Sequence, residues 1–170
     1  MRRLWLLRHA KSSWDDPDLP DHDRPLADRG RRAAGVVATH LEETDVRPEL
    51  VLCSSARRTR ETLSIVLASL GPSFTARIDP TLYTFEASRL RDQLAAIADD
   101  IAAVLIVGHN PAIQDLASEL AGAGSRLKDL RAKFPTCALA RLDLDVAHWS
   151  DVGPAVGTLM AFVVPRELGA

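Results

Sequence analysis

Short apolar runs punctuate this chain at intervals. Leu4-Trp5-Leu6-Leu7 and Leu50-Val51-Leu52-Cys53 are continuous, and Ala102–Val107 is the most strongly apolar of all. Runs of this length and continuity are the pattern of strands covered on both faces, as in a parallel sheet, which puts Ala102–Val107 in the sheet interior. Between them the periodicity lengthens. Ala27–Glu43 carries Ala33, Ala34, Val36, Val37 and Leu41 on one side, with Asp28 in the first turn where a negative charge favours the helix dipole. A second helix, capped by Ser54 or Ser55, runs to about Leu70 and stops at Gly71-Pro72. Ser88 to about Ala98 and Ala112–Leu120 read as further helices, with Pro111 in the first turn of the last. Phe74–Ile78 is a third strand, Cys137–Leu144 alternates as a half-buried one, and Thr158–Val164 closes the sheet. Lys11–Leu26, Tyr83–Glu86 and Ala121–Ser125 are connections. Strands alternating with helices predict an α/β fold, a three-layer α/β/α domain with a mostly parallel central sheet that occupies residues 1–170 as one unit.

Composition narrows the classes. Apolar residues make up 46% of the 170, enough for a real core, and the net charge of −2 provides no global field for nucleic acid. Arg57, Arg58 and Arg60 nevertheless fall within one turn, which points to a local anion site. Two cysteines are too few for a disulfide scaffold and match no zinc spacing, so a reduced, cytoplasmic setting is expected. The apolar run after Met1-Arg2-Arg3 is too short for a signal core, and no segment approaches membrane-span length.

The chemistry sits where strands end. Arg8-His9 closes the first apolar run, Gly108-His109-Asn110 closes the fourth, and Arg58 follows Ser54-Ser55. Open α/β sheets place ligands at such ends. Arginine forks suit a tetrahedral dianion, a neutral histidine among them can act as a nucleophile, and the helix start after His109 offers amides to an anion. Alone, His9 reads as a histidine satisfied by a backbone carbonyl; Arg8 beside it, costly to bury without an anion, shifts the reading towards phosphoryl transfer through a phosphohistidine. A thiolate phosphatase loop is excluded by counting: Arg58 lies five residues after Cys53, and the sixth position holds Thr59. A phosphate-dependent binding module without catalysis would keep the arginines but has no need of both histidines. A metal site from His9, His22 and His109 lacks ligand spacing.

These segments resemble the histidine phosphatase superfamily. Leu6-Leu7-Arg8-His9-Ala10-Lys11-Ser12-Ser13-Trp14 is similar to its opening signature, Ser54–Thr62 to its second arginine segment and Val107-Gly108-His109-Asn110 to its second histidine. Asp23-Arg24-Pro25-Leu26 and Asp28-Arg29-Gly30 make the small SixA-type phosphohistidine phosphatases the best match. Ala10 departs from the commoner Arg-His-Gly form. The resemblance spans residues 3–122 and implies a phosphoglycerate-mutase-like fold and an open site without the large insertions of other branches. It implies that His9 attacks phosphorus while Arg8, Arg58 and a protonated His109 hold the oxygens, with no metal or other cofactor. The implied substrate is a phosphomonoester or phosphoramidate, above all a phosphohistidine protein; a broad small-molecule phosphatase of the same family is the alternative. Asp15, Arg24 and Asn110 are further substrate-binding candidates, Arg24 being equally readable as a partner of Asp21 or Asp23. Glu86 and Asp15 are the candidates for a general acid. His22 and Trp14 lie near the expected site with no assigned role.

Overall fold

The computed structural model describes residues 1–170. Seven strands form one sheet: β1 (Arg2–Arg8), β2 (Leu50–Ser54), β3 (Thr75–Asp79), β4 (Ala103–Gly108), β5 (Ala121–Ala123), β6 (Leu139–Leu144) and β7 (Gly157–Val163), in the order β3-β2-β4-β1-β6-β7-β5. Strands β3, β2, β4 and β1 run parallel, β6 is antiparallel to both its neighbours, and β5 is parallel to β7. The helices are α1 (Asp28–Glu43), α2 (Arg57–Val66), α3 (Ala87–Ala95), α4 (Ala112–Leu120) and α5 (Leu127–Ala132).

The continuous apolar runs are explained by burial on both sides. Leu4 and Leu6 of β1, Leu52 of β2, and Val104 and Ile106 of β4 face one core, shared with Leu90 and Leu94 of α3 and Leu116 of α4. Their neighbours Trp5, Leu7, Val51, Cys53, Leu105 and Val107 face the other, against Val37 and Leu41 of α1 and Leu63 of α2. Each such aliphatic side chain contributes roughly 1.5–3 kcal/mol on leaving water, so neither layer of helices is dispensable.

Three expectations are corrected. The segment Ala121–Ser125 is not wholly loop: Ala121–Ala123 pairs with β7, so β5 and not Thr158–Val164 forms the sheet edge. The short helix α5 has too few apolar positions to show a period. The second helix ends where expected: it is α to Val66 and continues in 3-10 geometry over Leu67–Leu70 to Gly71, which takes a positive φ of 84°. Its N-cap is Ala56, and neither Ser54 nor Ser55 caps it by a side-chain bond.

The long connection Lys11–Leu26 is pinned at its base. Ser13 N donates to Pro25 O at 2.8 Å and Ala27 N to Lys11 O at 2.9 Å, so the loop leaves β1 and returns to the same place. Glu61 of α2 accepts from Leu26 N at 2.7 Å and pairs with Arg57 and Arg31. Gly30 lets α1 lie against this base: a Cβ there would stand 2.2 Å from Lys11 O.

Candidate active site

Strand register brings the two histidines together. Arg8 of β1 pairs with Gly108 of β4, so the next residues, His9 and His109, leave the sheet side by side with ring centroids 5.2 Å apart. On the other flank Cys53 of β2 pairs with Val107, which sets Ser54 beside His109. Arg58 comes up from the first turn of α2, and its side chain is only 5% exposed. Arg8, His9, Arg58 and His109 thus converge at the carboxyl ends of three adjacent parallel strands, the usual ligand position of such sheets. Gly108 makes room for Ile113, whose Cδ1 would lie 3.3 Å from an added Cβ.

The histidine tautomers follow from their partners. His9 Nδ1 lies 2.7 Å from Ala10 O, which can only accept, so Nδ1 carries the proton and Nε2 is left with its lone pair. Burial drives the His9 pKa down to about 3; the Ala10 bond works the other way, and Arg58, Arg8 and Arg24 reinforce the fall. His109 Nδ1 accepts from Arg58 Nη2 at 3.3 Å, so its proton is on Nε2, which donates to Ser54 Oγ at 2.7 Å. Burial, then His9, then Arg58 push its pKa to about 3 as well. His109 is therefore neutral in the free site; the expected protonated ring belongs to the site with a phosphoryl group bound. Two arginines already occupy the site, and the one carboxylate facing them, Asp21, only partly offsets the effect of burial on the ring.

The arginines are held differently. Arg8 Nη1 donates to Phe134 O at 2.8 Å, while its Nε is buried without a partner. A buried arginine donor without a protein partner is a group that a bound oxyanion would satisfy. Arg58 donates to Asp21 O at 2.6 Å and to Asp21 Oδ2 at 2.9 Å. The same Oδ2 accepts from Tyr83 OH at 2.6 Å, and Arg24 Nη1 reaches Oδ1 at 3.2 Å. Desolvation opposes these bonds, but Tyr83 and Arg58 prevail and hold the Asp21 carboxyl below its ordinary range. The Lys11–Leu26 loop thus lays a carboxylate on Arg58. Thr62 joins the layers: its Oγ1 accepts from Ala10 N at 3.0 Å and donates to Arg58 O at 2.7 Å.

The remaining candidates divide. Arg24 is buried, bonded to Ser12 Oγ, Ser13 O and Asp21, and stacked 3.3 Å from the Trp14 ring, so it is the partner of Asp21. Asn110 donates to Phe134 O at 3.0 Å and to Gln114, which makes it a brace for the carbonyl that Arg8 also uses. Its substrate-binding assignment is not supported by these contacts. Asp15 is exposed and lines a separate hollow with Asp28, Arg31 and Arg57. Glu86 is exposed and pairs with Arg89 at 3.4 Å. Neither carboxylate touches the histidines or the arginines, so the structure does not bring the two acid candidates to the site. Arg57 pairs with Glu61 and Arg60 with Ser55 O, both away from it. His22 joins the rim, with Nε2 2.9 Å from Ser55 Oγ.

Asp21, Tyr83, Phe85, Ser54 and Thr62 complete the site and were not anticipated from the chain. Tyr83 and Phe85 stand edge-on to His109 with centroids 5.3 and 5.8 Å away. Tyr83 lies in the connection already singled out, but which of its residues faces inward depends on the turn at Pro80–Leu82. Burial raises both cysteine pKa values to about 12, so Cys53 is a thiol in the core and not a nucleophile.

The family model described as the histidine phosphatase superfamily (branch 1) matches residues 4–86. The uncharacterized protein Rv1276c of Mycobacterium tuberculosis is 37% identical over 164 residues, which cover 94% of this chain and all of the relative. Among solved structures, a SixA phosphohistidine phosphatase candidate from Nakamurella multipartitia is 31% identical with a TM-score of 0.80, covering 96% of each chain. The protein histidine phosphatase SixA complexed with tungstate is 26% identical with a TM-score of 0.78, covering 98% of this chain and 99% of that one. Matched over almost its whole length by such relatives, and carrying two buried histidines at strand ends beside the half-buried Arg8 and the buried Arg58, the chain belongs to the histidine phosphatase superfamily.

Proposed function

We propose that this protein is a metal-independent phosphatase that works through phospho-His9 and takes protein phosphohistidine as its preferred substrate. The observation that carries the reading is the His9 ring. Its Nδ1 proton is committed to Ala10 O, so the unprotonated Nε2 is free to attack. In the first step Nε2 forms a bond to phosphorus as the bond to the leaving group breaks. In the second, water forms the new P–O bond, the P–N bond of phospho-His9 breaks, and phosphate departs. Arg8, whose Nε has no protein partner, and Arg58 hold the equatorial oxygens throughout, and such preset charges need no reorganisation as the transition state forms. His109 takes up a proton with the arriving dianion, whose charge offsets the burial and the neighbouring positive charge that keep the free ring neutral. The two arginines and the charged His109 supply what a metal would otherwise provide. SixA holds tungstate, a tetrahedral oxyanion, which supports the same use of the pocket here.

The missing acid bears on the substrate. An alkyl phosphate leaves as an alkoxide unless a carboxylic acid protonates it. Asp15 and Glu86 stand outside the site, and Asp21 is held ionised. A phosphohistidine with a protonated ring leaves as neutral imidazole and has less need of an acid. This favours a phosphohistidine protein over alkyl phosphomonoesters. Two buried free thiols accord with a reducing, cytoplasmic setting, and no helix is long and apolar enough to cross a membrane. The test compares kcat/KM for a phosphohistidine peptide and a phosphoserine peptide of the same sequence, with trapping of an acid-labile phosphoenzyme. A clear phosphohistidine preference and a phosphoenzyme lost in His9→Ala are expected. Equal kcat/KM for the two peptides would overturn the substrate assignment, and a phosphoenzyme persisting in His9→Ala would overturn the nucleophile.

A further inference from the structure

Next to the phosphoryl pocket lies a second concavity of about 930 Å³, with Arg8 in its wall. Seven cationic side chains line it against two acidic ones, in a chain whose net charge is −2. Both carboxylates are already used, since Asp129 and Glu167 each bond Arg126. The others in the lining, Lys11, Arg29, Arg32, Lys133 and Arg166, form no ion pair with any carboxylate. They come from four separate segments: the connection after β1, the first turns of α1, the end of α5 and the turn Pro165–Leu168. Arg29 and Arg32 are three apart on α1 and so share a face. Cations gathered round one hollow repel one another, and an anion placed there removes that repulsion.

The shape selects the kind of anion. A compact phosphate is gripped by buried, convergent donors, as Arg58 is placed to do. Here Arg29, Arg32, Lys133 and Arg166 are exposed, on flexible stems, and spread over a hollow wider than one phosphate. Dispersed rim charges of this type complement an extended acidic surface and steer its approach. We propose that this cavity docks acidic side chains of the phosphorylated protein, beside the residue whose phosphoryl group enters between His9 and Arg58. The inference rests on the phosphatase reading and names the feature by which that site chooses among phosphohistidine proteins: carboxylates next to the modified residue. Arg8 is shared by the two subsites: it lines the hollow and leaves β1 beside His9, with one donor fixed on Phe134 O.

The test uses the triple variant Arg29→Gln/Arg32→Gln/Lys133→Gln, which leaves the phosphoryl pocket intact. Two phosphohistidine peptides are compared, one flanked by Asp and Glu, the other by Asn and Gln. Wild type should prefer the acidic peptide in kcat/KM by about tenfold at low salt, the scale of three exposed charge pairs acting together. The preference should vanish in the variant and in 0.5 M salt, a concentration chosen to shrink the screening length to roughly 4 Å, while both proteins turn over a small aryl phosphate equally. Equal treatment of the peptides by wild type, or a preference retained by the variant, overturns the proposal. Tripolyphosphate serves as the competing probe. If it inhibits wild type but not the variant while the peptides are treated alike, the hollow is a compact polyanion site and the docking proposal is wrong. If neither protein hydrolyses any phosphorylated substrate, the phosphatase reading has failed. Fluorescence anisotropy of the unphosphorylated acidic peptide then still decides the docking question: binding by wild type and not by the variant supports it, and absence of binding by both ends it.

Discussion

Holding His9 and His109 as neutral rings inside a cationic site makes the fold acid-sensitive by a calculable amount. Each has a pKa of about 3 in the folded chain, against an ordinary 6.5, chiefly through burial. The unfolded chain therefore binds more protons than the folded one between these limits. Stability is fully present above pH 6.5 and is lost progressively as pH falls towards 3, at about 1.4 kcal/mol per pH unit for each ring. At pH 5 the loss is about 2 kcal/mol per ring and about 4 kcal/mol for the pair, set against a typical total of roughly 5–15 kcal/mol. The perturbation is His109→Gln, whose amide can still donate to Ser54. Its own packing cost changes the absolute stability, so the quantity to follow is the difference between pH 7 and pH 5. Urea titrations monitored by far-UV circular dichroism should give a loss of about 4 kcal/mol for wild type, about 2 kcal/mol for His109→Gln and close to none for the double variant with His9→Gln. Asp21, Glu61 and Asp79 are shifted below the usual carboxylate range, so their contributions fade only at lower pH, outside this window. Equal losses in wild type and His109→Gln would show that the buried ring is charged in the folded chain, and the tautomer assignment would fall with it.

Three further outcomes are expected. Arg58→Ala should lower kcat by about 10²–10³ as a preset oxyanion contact is lost, whereas Arg57→Ala, which only breaks a surface pair with Glu61, should change it little; steady-state kinetics showing the reverse ranking would mean that the wrong arginine faces the site. Asp21→Asn should bind tungstate several-fold more tightly by calorimetry at pH 7, because a carboxylate bonded to Arg58 no longer opposes the dianion; an unchanged or weaker affinity would mean that Asp21 serves to orient Arg58. Gly30→Ala should cost about 1–3 kcal/mol in denaturant unfolding, since its Cβ meets backbone that cannot yield without moving the loop base, and a neutral result would show the α1 contact to be loose.

The strand-end residues were legible because their position is encoded locally. An apolar run that stops at Arg8-His9, or at Gly108-His109, marks a strand end whatever it pairs with, and parallel strands put those ends on one edge. The polar contacts were not legible, because they depend on rotation. Glu86 and Phe85 are adjacent in sequence, yet Phe85 packs on His109 while Glu86 turns to Arg89 and solvent. Asp15 and Asp21 belong to the same acidic loop, yet the turn at Asp21–Asp23 delivers only the second to Arg58. Asn110 follows His109 directly, yet its Nδ2 donates to Phe134 O, a partner 24 residues away.

By itself the amino-acid sequence determined the layered α/β fold, the two core faces of each central strand and the four residues His9, His109, Arg8 and Arg58. Those follow from hydrophobic periodicity and from residue types fixed relative to strand ends, which are short-range properties. Only the tertiary structure decided that β5 forms the sheet edge, that Asp21 and Tyr83 close over Arg58, and that unpaired cations from four segments surround one hollow beside Arg8. It also decided the charge of the histidines, because a ring's protonation depends on how deeply it is buried and on which donors face it, and both are set by elements distant in the chain.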